Sequence, residues 1–255
     1  SHQRTRHGHL FCTDKPNTCD LIHNTYLTIA HQAMRDFVLL HVNGVPHRIG
    51  GARAFQTLSR FLREDQRATG TKIVCEEGDC GACTVLIGRR ENGVLRYQAV
   101  NSCIQFVFQM DCAHVVTVEG LTPTGELTPV QEAMVRCHGA QCGYCTPGFI
   151  MAMAGMCEDH SICSETDARR ALTGNLCRCT GYESINNAAK ETVDQPKIES
   201  LYASAPILEA IDEIEGEPVA FDSFAKPVDL ESAIAFKSEH PDTVIVQGAT
   251  DFGVW

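Results

Sequence analysis

Two groups of four cysteines dominate the chemistry of this 255-residue sequence. In the first, Cys75-x4-Cys80-x2-Cys83 is followed by Cys103, the plant-type spacing for a [2Fe–2S] cluster. A loop wrapped round a small inorganic core must curl tightly for several thiolates to converge, and Gly78 and Gly81 permit that. Backbone N–H groups then point at the sulfurs and help set the potential. Structural zinc also takes four cysteines, but it usually pairs two C-x2-C knuckles, so this spacing favours iron–sulfur. The second group joins Cys142-x2-Cys145 to Cys177-x-Cys179. Its first pair stands before Thr146-Pro147, a helix start whose positive end would stabilise an anionic cluster. On spacing alone, zinc and iron–sulfur both remain open there.

The other six of the fourteen cysteines suggest no site. Cys12 and Cys19 lie in an unpatterned stretch; for most of Cys112, Cys137, Cys157 and Cys163 the expected role is buried apolar packing. Neither a Ser/His/Asp nor a paired-carboxylate arrangement is evident, so no acid–base catalyst is assigned. His138, beside the second group, reads as a helix-end hydrogen bond.

The elements that must position these cysteines follow from local pattern. Asn43-Gly44 is a hairpin signal between two β-rich runs. A helix is expected over 53–64, strands over 83–87 and 94–100 round Glu91-Asn92-Gly93, and a strand over 115–118. Residues 34–120 thus form an α+β domain. Thr128-Pro129-Val130-Gln131 reads as a capping-box helix start, and Thr146-Pro147 repeats the device. Ser164 caps a third helix that Gly174 ends, and a fourth begins near Glu183. Residues 121–190 then make a four-helix domain.

Residues 191–218, with a net charge of −7, read as an acidic linker carrying at most one short helix. Residues 219–255 offer a helix over 230–236 and a buried-type strand over 244–246, too little for a domain. Residues 1–33 hold 5 of the 11 histidines and no periodic pattern, and Met34 reads as the native start.

Composition narrows the class. With 44% apolar and 21% charged residues the chain can build cores. A net charge of −11 argues against a nucleic-acid partner, and no run approaches the roughly 20 apolar residues of a membrane span. Many cysteines without a secretion signal point to a reducing, cytoplasmic setting and to metal ligation.

The segments CEEGDCGACTV, NSC, QCGYCTPGFIM and GNLCRCTGY closely resemble the iron–sulfur segments of the molybdenum hydroxylases, the xanthine dehydrogenase and aldehyde oxidase family. The likeness covers residues 36–190, with four separated motifs in the family's order. It implies one [2Fe–2S] cluster on Cys75, Cys80, Cys83 and Cys103 in a ferredoxin-like β-grasp domain. It implies another on Cys142, Cys145, Cys177 and Cys179 in a helical domain nearer the molybdenum cofactor. It also implies that Gln141 and Cys179 approach the pterin of that cofactor, which a large partner subunit holds.

VIVQGATDFG is similar to the first flavin-contacting loop of the family's FAD domain, which would give Val246, Gly248, Ala249, Thr250 and Asp251 flavin contacts. The whole looks like the small iron–sulfur/FAD subunit of bacterial two-chain enzymes, stopping at the start of the FAD domain. Glu183-Ser184 departs from the Arg-Pro of many relatives and leaves the substrate branch open.

The leading expectation is an electron-transfer subunit of a xanthine dehydrogenase, passing electrons through two clusters to FAD and NAD. The small subunit of an aldehyde, carbon monoxide or nicotinate hydroxylase is the neighbouring reading. A free-standing ferredoxin-like carrier and a zinc-stabilised interaction module belong to other classes. The flavin-like loop argues against the carrier, and visible colour separates iron–sulfur from zinc.

Overall fold

The computed structural model describes residues 34–159, 164–192 and 198–251. The reading of residues 1–33 as a non-native extension lies outside the described residues, as do Cys12, Cys19, Cys163, Phe252 and Trp255.

Strands form where apolar runs meet left-handed turns. β1 (Val38–Val42) and β2 (Val45–Ile49) pair antiparallel round Asn43-Gly44, with φ values of 50° and 83°. Two left-handed residues give the mirror-image turn that matches strand twist. β3 (Thr84–Glu91) and β4 (Val94–Asn101) repeat the device at Asn92-Gly93, with φ values of 52° and 80°. β5 (Ala113–Val116) lies parallel to β1 and antiparallel to β3, so the sheet runs β2-β1-β5-β3-β4. Successive side chains take opposite faces: Val85 and Ile87 enter one core, Leu86 the other.

On the first face the expected helix over 53–64 is split. Gly51–Phe55 is a 3-10 turn, Gln56 and Thr57 are extended, and α1 (Leu58–Arg60) runs into a wider turn at Phe61–Asp65. The break has a cause: Thr57 bridges to Phe106, and the Leu58 N–H donates to the Gln105 carbonyl at 2.6 Å. Leu58, Phe61 and Leu62 are still fully buried against Val38, Leu40 and Ile87. Burying each such side chain contributes about 1.5–3 kcal/mol.

The second face carries the helical half. α2 (Pro129–Arg136) begins on half a capping box: Gln131 Oε1 accepts the Thr128 N–H at 2.8 Å, while the Thr128 hydroxyl bonds Gln131 instead of the helix backbone. It ends with His138 at φ 54°, whose N–H reaches Val135 while the Gly139 N–H reaches Met134. This double closure of a helix end usually places glycine where His138 stands. α3 (Thr146–Glu158) is buried through most of its length and lies across β3 and β4. Gly155 admits this approach, since a Cβ there would stand 2.8 Å from that of Ala99.

α4 (Glu165–Ala171) is capped by Ser164, whose hydroxyl accepts the Asp167 N–H at 3.2 Å. It stops at Leu172, before the expected Gly174, which is not left-handed. α5 (Glu183–Glu191) begins where expected.

Residues 198–212 pack closely onto the rest. Ile198 and the Ile207 and Ile211 of α6 (Ser204–Asp212) join the core under α3, and the Tyr202 hydroxyl donates to the Gly120 carbonyl at 2.6 Å. β6 (Val219–Phe221) and β7 (Phe224–Lys226) form a hairpin that no sequence signal announces. It is clasped to the start of β1: Arg35 bridges to Val219, and buried Asp111 takes both nitrogens of Arg35 at 3.0 Å and Lys226 at 2.6 Å. α7 (Leu230–Glu239) covers the expected helix. The strand expected over 244–246 does not form. Val244, Ile245 and Val246 are 67%, 78% and 38% exposed, with no partner strand beside them among the described residues.

Candidate metal centres

The first centre stands between the loop ahead of β3 and the 3-10 turn Ser102–Ile104 after β4. Gly78 and Gly81 carry φ values of 80° and 69°. A side chain on Gly78 is strained by conformation, and its Cβ, 2.6 Å from Ile104 Cδ1, would also push the tip of Ile104 aside. The Ser102 hydroxyl donates to the Cys83 carbonyl at 2.7 Å, and the Asn101 amide donates to the Gly78 carbonyl. These bonds fasten the loop to the turn that carries Cys103.

Cys83 and Cys103 are 2% and 3% exposed, while Cys75 and Cys80 sit half-buried at the rim. Burial pulls the Cys75 thiol up, but N–H groups of Glu77, Cys80 and Asp79 outweigh it and bring it to about 7. Hydrogen bonding from Cys103 holds Cys83 down at about 6 against its burial, and the same contact pushes Cys103 up. Cys75 and Cys83 are thereby favoured as thiolate, the form that binds metal, one in each pair.

The second centre is assembled at the start of α3 from two strands of chain. Cys145 occupies the cap position, so Thr146, expected as the cap, is the first helical residue and its hydroxyl has no partner. The Cys142 and Cys179 sulfurs lie 3.6 Å apart. Cys145 hydrogen-bonds Cys177; burial first, then that contact, raise Cys145 to about 12. Burial opposes the lowering of Cys177, which the Thr180 hydroxyl at 3.2 Å and the N–H groups of Thr180 and Cys179 produce.

The sulfurs thus come in pairs: Cys75 with Cys80, Cys83 with Cys103, Cys142 with Cys179, Cys145 with Cys177. Among the described residues no three His, Cys, Asp or Glu side chains converge as a single ion requires. A mononuclear tetrahedral zinc needs four donors round one point. Thiolates that come in two pairs fit a binuclear cluster, in which each iron takes two.

The two loops touch. The Leu176 N–H donates to the Cys80 carbonyl at 2.9 Å, and the Asn175 amide donates to the Gly81 carbonyl at 2.9 Å and meets the Thr84 hydroxyl at 3.2 Å. Close backbone approach makes this possible: a Cβ on Gly81 would stand 2.3 Å from the Gly174 carbonyl oxygen, and one on Gly148 2.3 Å from that of Gly81. The outer side differs. Gln141, Cys142 and Cys179 are exposed, and Tyr144 and Leu176 beside them are about half exposed, so this centre opens to the surface.

The loop likened to a flavin contact is a bend, with Gly248 at φ 72° and Ala249 at φ 53°. Val246, Gly248, Thr250 and Asp251 are exposed, Ala249 is buried, and the Gln109 amide donates to the Gly248 carbonyl at 3.0 Å. Among the described residues this bend stands at the surface and forms no cleft of the kind that encloses a dinucleotide. Cys112, Cys137 and Cys157 are half-buried rather than fully packed; Cys137 donates to Glu191 and Cys157 to the Thr192 carbonyl. Sequence reasoning passes over Asn175, Leu176, Thr180 and Tyr182. The run Thr-Gly-Tyr after the last cysteine was a turn signal that marks two of them.

Two family models match the chain: a 2Fe-2S iron-sulfur cluster binding domain over residues 40–107 and a [2Fe-2S] binding domain over residues 117–190. Two [2Fe–2S]-binding domains are therefore present. The chain is 40% identical over 156 residues to the 6-hydroxypseudooxynicotine dehydrogenase complex subunit beta of Paenarthrobacter nicotinovorans, covering 61% of this chain and 90% of that one. It is 39% identical over 165 residues to the xanthine dehydrogenase of Blastobotrys adeninivorans, covering 64% of this chain. It spans 12% of the length of that protein and 18% of the xanthine dehydrogenase of Drosophila subobscura. Among solved structures, quinoline 2-oxidoreductase from Pseudomonas putida 86 matches with a TM-score of 0.51 and 31% identity, covering 71% of this chain and 98% of its own.

Proposed function

This chain belongs to the xanthine dehydrogenase and aldehyde oxidase family of molybdenum hydroxylases, and on that premise we propose that it is the electron-transfer part of such an enzyme, of the xanthine dehydrogenase type. When bound, two [2Fe–2S] clusters supply one-electron relays between the molybdenum cofactor of a large partner subunit and FAD, with NAD as the final acceptor. Cys75, Cys80, Cys83 and Cys103 hold the inner cluster; Cys142, Cys145, Cys177 and Cys179 hold the outer one. Gln141 and Cys179 stand on the exposed side and face the pterin. Val246, Gly248, Ala249, Thr250 and Asp251 offer the flavin its first contacts.

The observation that carries the reading is the direct bond between the loops, Leu176 N–H to Cys80 carbonyl at 2.9 Å. It joins the neighbour of one ligand to another ligand, so two paired-sulfur sites are held at a fixed short spacing. A chain that stored one cluster, or used zinc for rigidity, has no need of that junction. The share of the Paenarthrobacter subunit that is covered, 90%, favours as a second reading the same role beside a hydroxylase with a different substrate.

Protein purified anaerobically should carry four irons and four sulfides per chain and give two reduced signals by electron paramagnetic resonance. Stoichiometric zinc with no visible absorption would overturn the reading.

A further inference from the structure

Around Cys177 three hydrogen bonds close into a ring that the cysteine spacing alone does not require. The Cys177 N–H donates to the Tyr182 hydroxyl at 3.0 Å. The Tyr182 N–H donates to Thr180 Oγ1 at 3.2 Å. Thr180 Oγ1 lies 3.2 Å from Cys177 Sγ. Consecutive left-handed residues make the ring possible, Gly181 at φ 67° and Tyr182 at φ 70°. A tyrosine held in that region is strained, so surrounding contacts must sustain it. Its ring packs edge-on to Phe149 at 6.4 Å, and its carbonyl accepts the Asn186 N–H at 2.8 Å to begin α5.

The direction of the last bond follows from the chemistry. A cysteine that ligates iron is a thiolate and has no proton to give. Thr180 Oγ1 already accepts the Tyr182 N–H, so the hydroxyl proton is the one free to point at sulfur. We propose that Thr180 is a positioning and tuning residue: its hydroxyl donates to Cys177 Sγ and raises the reduction potential of the outer cluster. An O–H bond to a ligand sulfur favours the more negative, reduced state, and hydrogen bonds to sulfur are among the determinants of cluster potential.

The bond falls on one side of the site. Cys177 is buried and pairs with half-buried Cys145, whereas Cys142 and Cys179 are exposed. Cys177 is also the ligand adjoining Leu176, which bonds Cys80. The donated bond therefore falls on a ligand of the buried pair, on the stretch of chain that meets the first loop.

This inference rests on the two-cluster reading, and its test is separable from that reading's. Iron and sulfide content establishes whether both clusters are present; a redox titration of the full chain, followed by the two resonance signals, establishes the tuning. Thr180→Val should leave four irons per chain and lower the outer potential by about 59 mV, a tenfold loss in the one-electron reduction equilibrium. The inner potential should stay put. Thr180→Ser restores the hydroxyl and should recover most of the shift.

An unchanged outer potential in Thr180→Val, an equal shift of both clusters, or a serine variant that behaves like valine would overturn the proposal. Thr180→Ala, which adds no branch, carries the same expectation should the valine variant lose iron. Loss of the outer cluster in both would assign Thr180 to assembly instead and overturn the tuning role.

Discussion

His114 couples this fold to pH through a single buried ring. Its Nε2 accepts the Gly44 N–H at 3.0 Å, so Nδ1 carries the proton and donates to the Tyr97 hydroxyl at 2.7 Å. Burial, with His41 alongside, holds its pKa down at about 3. Below its ordinary value of 6.5 the unfolded chain takes up a proton that the folded protein refuses. Stability is therefore full above that value and declines as pH falls from 6.5 toward 3. Denaturation midpoints should drop between pH 6.5 and 5. His114→Gln, which keeps an acceptor for Gly44 and a donor for Tyr97, should reduce the slope; His41, lowered for the same first reason, keeps part of it. Equal slopes in variant and native protein would remove His114 from the account. At this scale the cysteine sets are legible in sequence because short spacings govern them. The Thr180 ring is not, because it depends on the backbone sign of Tyr182.

At the scale of elements, α3 is the part that brings the centres together. It carries Cys145 at its cap, lies on β3 and β4, and meets the first loop at Gly148. Gly148→Ala would place a Cβ 2.3 Å from the Gly81 carbonyl oxygen, against backbone of Gly81 and Ala82 that cannot swing away as a side chain would. Overpacking of this kind costs about 1–3 kcal/mol, and the variant should lose that much in chemical denaturation with the inner cluster the more labile. Stability equal to the native protein would mean that the junction yields freely. The β1–β2 and β3–β4 hairpins and the starts of α2, α4 and α5 are readable because their turns and caps are local. The split at Gln56-Thr57 is not, since a bridge to Phe106, far along the chain, imposes it. The strand expected over 244–246 fails for the converse reason: among the described residues its apolar side chains find no neighbour strand to pair with.

Across the whole molecule, Asp111 joins regions far apart in sequence. Its carboxylate is 1% exposed and bonds Arg35, Lys226 and the Leu39 N–H. Burial alone would raise its pKa, but Arg35 and Lys226 hold it below the usual carboxylate range. Removing one member of a buried pair strands the other, at about 3–5 kcal/mol. Asp111→Ala should lose that stability and release the β6–β7 hairpin to limited proteolysis; a hairpin as resistant as before would show that the Arg35 bridge alone suffices.

The clasp also fixes how the protein bears mechanical load. Tension applied between residue 34 and residue 227 first meets the Arg35–Val219 bridge and the Asp111 ion pairs. While these hold, the intervening chain, with both sets of cysteines, lies off the line of force. Pulling by a flanking segment would then strain a renewable ion pair before it stretched an iron–sulfur bond.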